Sequence, residues 1–367
     1  MDHDSTSTRL LSLDAFRGIT IAAMILVNFA GDWGHIYAPL EHAAWNGLTP
    51  TDLIFPFFLF IVGVSIVFAY KKKIEAGVKI STLYHKLIFR SIKIFILGLF
   101  LALYPNFNFE EIRIAGVLQR IAIVFLVCSL LYLNSKWITQ LITGLLILVG
   151  YWLAMTLIPT PGYGKVMLEP GTNLAAYIDS IFLPGRMWNG TWDPEGILST
   201  FPAIVTGITG LLAGKLLTTK IEVERKVIWL FVAGFVSFIF GIIWGWAFPL
   251  NKNLWTSSYV LTTSGLAAIT LATLIFLVDI LKYSKAVKFG IIFGSNAIAI
   301  YVISDLLAPI FYDLSIGGKS LNLHVTTLLN IFGFDPRFSS MFYAMVYVGI
   351  NFIPAWLLHR KKIFIKL

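Results

Sequence analysis

The chain has 367 residues, 57% of them hydrophobic and only 13% charged, with 28 lysines and arginines against 19 acids for a net charge of +9. Mean hydropathy is +0.81, whereas a soluble domain carries roughly 25% charged residues, so composition excludes an ordinary water-soluble globule. The basic excess reads as membrane topology rather than nucleic-acid binding, because no basic patch is interleaved with exposed aromatics in a soluble module.

The first residues, "MDHDSTSTRLLSLDAFRG", are polar and acidic, unlike a basic start followed by a short apolar core, so no cleavable signal peptide is expected. Apolar runs of about 20 residues, enough to cross a bilayer, then recur along the chain. They predict ten spans, over residues 13–31, 51–70, 84–104, 114–134, 137–158, 197–216, 227–249, 257–280, 288–310 and 340–359. The fold expected is an all-α integral membrane protein, one polytopic bundle of about ten transmembrane helices covering residues 1–367. Arg90 and Lys93 interrupt the third run near its start, where long basic side chains can snorkel towards headgroups. Alternate loops are rich in Lys and Arg (Lys71, Lys72, Lys73, Lys136, Lys220, Arg225, Lys282, Lys285), while the others are mainly acidic. Basic loops stay cytoplasmic. Both termini are therefore expected in the cytoplasm, with loops 32–50 and 159–196 facing outward and the latter long enough to serve as a substrate lid.

Polar groups at membrane depth cost free energy unless they are paired or face a cavity, which makes them functional candidates. The first hairpin places Asp14 and Arg17 at its cytoplasmic entrance, Asn28 near the outer end of the first span, His42 in the outward loop and Asp52 at the mouth of the second span. Each also has a structural reading: helix caps for Asp14 and Asp52, a headgroup contact for Arg17, interhelical bonding for Asn28, an interfacial position for His42. Gln119 and Arg120 fall about two turns into the fourth predicted span, and Arg120 at that depth requires a carboxylate, a phosphate or a wet cavity. Asp193 and Glu195 stand at the mouth of the sixth span, Lys252 in a tight outer turn, and Asn296 and Asp305 inside the ninth. No phosphate-cradling loop or nucleophile elbow is present. The six histidines are scattered without metal-ligand spacing, so no metal is expected. A secondary transporter for a sugar or amino sugar and a transmembrane transferase both fit these residues, although the internal repeats that build many carriers are not visible.

The blocks "RLLSLDAFRGITIAAMILVNFAG", "HAAWNGLTPTDLIFPFFLFIVG", "GVLQRIAIVF", "DPEGILSTFPAIVTGITGLLAGKLL", "PLNKNLWTSSYVLTT" and "HRKKIFIKL" resemble the heparan-α-glucosaminide N-acetyltransferase family, in the same order from Arg9 to Leu367. The likeness is to its shorter bacterial members, without an N-terminal luminal domain. The resemblance implies a homodimer in a bacterial inner membrane that moves acetyl from cytosolic acetyl-CoA to an amino sugar or glycan on the far side. It places the active-site histidine on His42, the catalytic asparagine on Asn28, the arginine of "GVLQR" on Arg120 and the acid of "DPEG" on Glu195. Asp52, Trp45, Asn46, Glu195 and Lys252 are then expected about the acceptor. Arg17, Arg120, Arg360, Lys361, Lys362 and Lys366 are expected about CoA, whose phosphates suit guanidinium groups.

The chemistry agrees with that assignment. A sugar amine must lose a proton to attack a thioester, and imidazole, titrating near pH 6.5, can take it, an effect worth roughly 10²–10⁴-fold. Asn28 can donate to the developing oxyanion, and Asp52 or Glu41 can orient the ring. An acetyl-histidine intermediate is the other route, and a hydroxyl acceptor would use the same base.

Overall fold

The structure, a computed structural model, describes residues 10–365. Long apolar runs become helices because only a helix satisfies its own backbone groups within one segment in lipid. The helices are α1 (Leu11–Asn28), α2 (Ile54–Glu75), α3 (Ile80–Leu103), α4 (Val117–Asn134), α5 (Trp137–Leu157), α6 (Leu174–Phe182), α7 (Ile197–Leu217) and α8 (Val223–Trp244). They continue with α9 (Ser257–Leu274), α10 (Lys288–Gly294), α11 (Ala297–Tyr312), α12 (Leu321–Ile331) and α13 (Pro336–Arg360). A small hairpin of β1 (Ser315–Ile316) and β2 (Lys319–Ser320) turns at Gly317 and Gly318.

Among the described residues eight helices are long and apolar enough to cross a membrane, or nine if α10 and α11 form one span. This is an all-helical membrane protein, and it differs from the ten-span expectation in two places. The third run does form a 24-residue helix, but Lys86, Arg90 and Lys93 lie within it, and it is not among the helices apolar enough to cross. Arg90 instead lies over the ring of Phe125, 4.7 Å from its centroid. The ninth run breaks, with α10 and α11 inclined at 81°. At the break the Asn296 side chain clasps the C-terminal segment: its Nδ2 donates to the carbonyl of Ile363 (3.0 Å) and its Oδ1 accepts from the amide of Ile365 (2.8 Å).

Close helix contacts rest on glycine. A Cβ on Gly63 of α2 would overlap the Gly207 carbonyl of α7, and one on Gly18 of α1 would overlap the Gly290 carbonyl of α10. Small residues let backbones approach where lipid supplies no hydrophobic drive between helices. At the periphery, α8 buries only Leu230, Gly234 and Gly241 and exposes Trp229, Phe235 and Phe240, as a lipid-facing helix does.

The two ends of the bundle differ chemically. At one end Lys71 donates to the carbonyl of Thr218, and Lys215 reaches that of Ser135 (3.5 Å), tying together the ends of α2, α4 and α7. The opposite end gathers His42, Asp52, Arg113, Asp193 and Lys252.

Candidate active site

Thr49 and Pro50 begin a short 3₁₀ turn, Pro50–Leu53, that leads into α2, and Thr49 and Asp52 cap it reciprocally. Asp52 Oδ2 accepts from the amides of Thr49 (3.0 Å) and Ala43 (3.1 Å) and from Thr49 Oγ1 (3.0 Å). Its Oδ1 is left for His42 Nδ1, 2.7 Å away. Tyr259 donates its hydroxyl to the Asp52 carbonyl at 2.5 Å, fixing the turn from below. The carboxylate side chain is 1% exposed and the imidazole 47%. Because the carboxylate accepts, Nδ1 carries the hydrogen and the Nε2 lone pair stays free.

Lys252 comes from the turn between α8 and α9. Asn251 shapes that turn, accepting from the Leu254 amide (2.8 Å) and donating to Asn46 Oδ1 (3.1 Å), while the Gly47 amide bonds the Leu250 carbonyl (2.8 Å). Lys252 Nζ lies 3.1 Å from Nδ1 and 3.0 Å from Nε2 of His42. An atom equidistant from both ring nitrogens cannot lie in the ring plane without overlapping Cε1, so the nitrogen sits off the plane, towards the ring face. Burial lowers the pKa of this ammonium.

His42, Asn28, Glu195 and Lys252 open into one cavity of about 860 Å³, together with Gln119, Trp188, Trp192, Tyr301 and Asp305. Its wall is braced by Arg113, which donates through Nε to Asp193 Oδ2 (2.7 Å) and through Nη2 to Asp193 Oδ1 (2.6 Å) and Glu195 Oε2 (2.5 Å). Burial would lower the Arg113 pKa, but its two carboxylates hold it above the usual arginine value. Burial likewise works to raise Asp193, and the Arg113 bonds outweigh it and keep the carboxyl below the ordinary range. Arg113, not Arg120, is thus the arginine bonded to Glu195.

Arg120 is not two turns deep in its helix. Residues 114–116 are not helical and α4 starts at Val117, which puts Gln119 and Arg120 in the first turn. Arg120 Nη2 donates to Ser199 Oγ (2.5 Å) and the Gly196 carbonyl (3.2 Å), and the guanidinium lies 5.1 Å from the Trp255 ring centroid. It lines neither of the two large cavities. Beside it Asp179 accepts from the Ile197 amide at 2.7 Å, in space left by Gly196, where a Cβ would overlap the carboxylate. Burial pushes Asp179 up to about 6. Every residue of "DPEG" therefore has a bond or a steric duty, the proline through its carbonyl, which accepts from Ser199 Oγ (3.5 Å).

Trp45 and Asn46 hold loops rather than line the cavity. Trp45 Nε1 donates to the Leu168 carbonyl (3.0 Å) and its ring meets Trp192 edge to face at 5.0 Å.

A second cavity, about 660 Å³, opens at the basic end and is lined by Asp14, Arg17, Ser65, Lys72, Arg90, Asn296 and Phe364 among others. Arg17 pairs with Asp14 (3.0 Å) and donates to Ser65 Oγ (2.6 Å). Arg360, Lys361 and Lys362 are not part of that lining; Arg360 lies over Trp356 instead, 5.1 Å from its centroid. Lys366 falls outside the described residues. The two cavities approach closely on three helices: Ile94, Ile121 and Ile298 line the basic one, and Gly98, Leu118 and Tyr301 line the other. Three or four residues separate each pair, about 4.5–6 Å of helix rise.

Sequence reasoning missed Arg113, Trp188 and Tyr301 at the first cavity and passed over Lys72 and Arg90 at the second. Arg90 carried the clearest signal, a charge inside an apolar run that was read as snorkelling. Among the described residues no group of three or more His, Cys, Asp or Glu converges as a metal site.

The comparisons with known proteins converge on one family. Residues 9–178 match the family described as heparan-alpha-glucosaminide N-acetyltransferase, catalytic. The chain is 30% identical to the heparan-alpha-glucosaminide N-acetyltransferase of Homo sapiens, over 98% of this chain and 60% of that protein. To the Mus musculus protein of the same name it is also 30% identical, over 84% of this chain and 55% of that protein. It thus spans little more than half the length of these relatives. With His42 and Asp52 inside the matched region and the likeness running on through the rest of the bundle, the chain belongs to the heparan-α-glucosaminide N-acetyltransferase catalytic family.

Proposed function

We propose that this protein transfers acetyl from acetyl-CoA, entering from the basic end, to an amino sugar or glycan admitted at the His42 end, with the basic end cytoplasmic. The observation that carries this reading is the stacking of the two cavities. One holds an imidazole whose Nε2 is free and whose Nδ1 is held by Asp52. The other, about one helical turn away, is lined by Arg17, Lys72 and Arg90, cations suited to CoA phosphates.

In this reading His42 Nε2 takes the proton of the acceptor amine as nitrogen bonds to the acetyl carbon. The C–S bond breaks, and the proton passes to the departing thiolate to give CoA and the acetamide. Asn28 and the Lys252 ammonium serve the carbonyl oxygen as it gains negative charge. Glu195, held by Arg113, stands at the acceptor side.

The test uses detergent-purified protein, radiolabelled acetyl-CoA and glucosamine. Labelled N-acetylglucosamine from the wild type, and its loss in a folded His42→Ala variant that still binds acetyl-CoA, supports the reading. Label kept on the wild-type protein without acceptor would move His42 from base to acetyl carrier. A secondary transporter is the alternative that the broken α10–α11 pair favours, since carriers build sites at discontinuous helices. Coupled sugar uptake into proteoliposomes with no acetyl-CoA binding would establish it instead.

A further inference from the structure

Gln119 has no part in the chemistry above, yet its placement is unusual. The residue is only 4% exposed, and its carboxamide has no hydrogen-bond partner among the described residues. It lines the His42 cavity at the level where the two cavities come closest. Two glycines make its seat: a Cβ on Gly98 of α3 or on Gly116, just ahead of α4, would overlap the carboxamide oxygen. The carboxamide opens into the cavity rather than being sealed in the packing, so a molecule lying there can reach it. A seat cleared on both sides for such a group is accounted for by a ligand whose polar atoms reach it.

The proposed donor narrows what that ligand is. Its phosphates suit the cations of the basic cavity, and its thioester must reach His42. Between them runs the pantetheine arm, a flexible chain whose only strong hydrogen-bonding groups along that stretch are amides and a hydroxyl. A carboxamide offers both a donor and an acceptor, which complements an amide at both of its polar atoms. We propose that Gln119 hydrogen-bonds the cysteamine-side amide of the pantetheine arm where the arm crosses the seam of α3, α4 and α11. This rests on the acetyl-CoA reading above.

The test compares wild type with Gln119→Met, which keeps the length of the side chain and removes both polar functions. The donors are S-acetyl-N-acetylcysteamine, which carries the cysteamine amide, and S-ethyl thioacetate, which does not. Wild type should favour the amide-bearing donor in kcat/KM by about tenfold, the factor expected of one neutral hydrogen bond, and Gln119→Met should lose that preference. For acetyl-CoA the variant should raise KM about tenfold with kcat nearly unchanged, the pattern of lost uniform binding. The donor-free melting temperature should stay near that of the wild type, because the carboxamide faces the cavity and bonds no other part of the protein. Retained preference in the variant overturns the assignment, as does a change in acceptor KM without one in donor KM. A lowered melting temperature with equal losses on both donors would make Gln119 a packing residue and also overturn it. Each of these leaves the acetyltransferase reading intact, whereas a wild-type protein that neither binds nor uses acetyl-CoA removes both.

Discussion

His42 and Asp52 lie ten residues apart on either side of a turn and meet through a 2.7 Å bond from Nδ1 to Oδ1, with the other carboxylate oxygen already taken by three donors from residues 43 and 49. That asymmetry makes Asp52→Asn informative. The amide oxygen must occupy the position that accepts from Ala43 and Thr49, which turns the NH₂ group towards His42. The imidazole would then carry its hydrogen on Nε2, where it cannot act as a base. Acetyl transfer should fall by about 10² or more, while acetyl-CoA binding and melting temperature stay close to wild type. A variant that keeps more than a tenth of the activity would show that the tautomer is not set by this pair.

Lys252 gives a pH-dependent prediction. Its ammonium is placed off the plane of the His42 ring, and burial lowers its pKa. The charged form is the one that can stabilise an oxyanion, so activity should decline as pH rises through that lowered value, earlier than an ordinary lysine near 10.4 would allow. Lys252→Met should lower kcat by roughly 10–10²-fold and show no alkaline decline. An alkaline limb that persists in the variant would assign it to another group.

Arg113 is expected to matter first for folding. Replacing it with methionine leaves the buried carboxylates of Asp193 and Glu195 without their cation, a change that typically costs about 3 kcal/mol or more. Chemical denaturation in detergent should register it. Neutralising both acids together with Arg113 should recover most of the loss, and failure to recover would locate the damage in packing against Trp188, whose ring lies 4.9 Å from the guanidinium.

Asp179 predicts the opposite sign. In the fold its pKa is raised to about 6, above the unfolded value near 3.9. The folded protein therefore binds this proton more tightly, and ionisation costs stability that accrues as pH rises between those two values. Asp179→Asn keeps an oxygen for the Ile197 amide and removes the charge. Its melting temperature should exceed that of the wild type at about pH 7.5 and converge with it towards pH 4. A difference independent of pH would rule out the carboxyl ionisation as the cause.

The basic cavity separates two sets of cations. Arg17→Gln and Lys72→Gln should each raise the KM for acetyl-CoA by about tenfold and leave that for S-acetylpantetheine, which lacks the nucleotide phosphates, near wild type. Arg360→Gln, Lys361→Gln and Lys362→Gln should leave both near wild type. The reverse result would return the phosphates to the C-terminal cluster.

The membrane class, the long helices, and the candidacy of His42, Asn28, Asp52 and Lys252 follow from composition, apolar run length and the rarity of polar groups in such a chain. Local signals sufficed there, because the bilayer leaves the backbone few choices and charges few places. Arg17 as a lining residue of the basic cavity was legible for the same reason. The partner of Glu195 was not, since Arg113 and Arg120 are both near the start of α4 and only the point where the helix begins, after a non-helical 114–116, decides which guanidinium reaches it. The break at Asn296 was hidden by hydropathy that runs on through it, and its visible correlate is a side-chain clasp on residues 363 and 365, a contact nearly seventy positions away. The single-turn separation of the two cavities, and Gln119 between Gly98 and Gly116, depend on how α3, α4 and α11 cross. Hydrophobic patterning sets which segments enter the membrane. It does not set which of their faces meet, because in lipid that choice falls to close packing and to a few polar bonds between residues far apart in the chain.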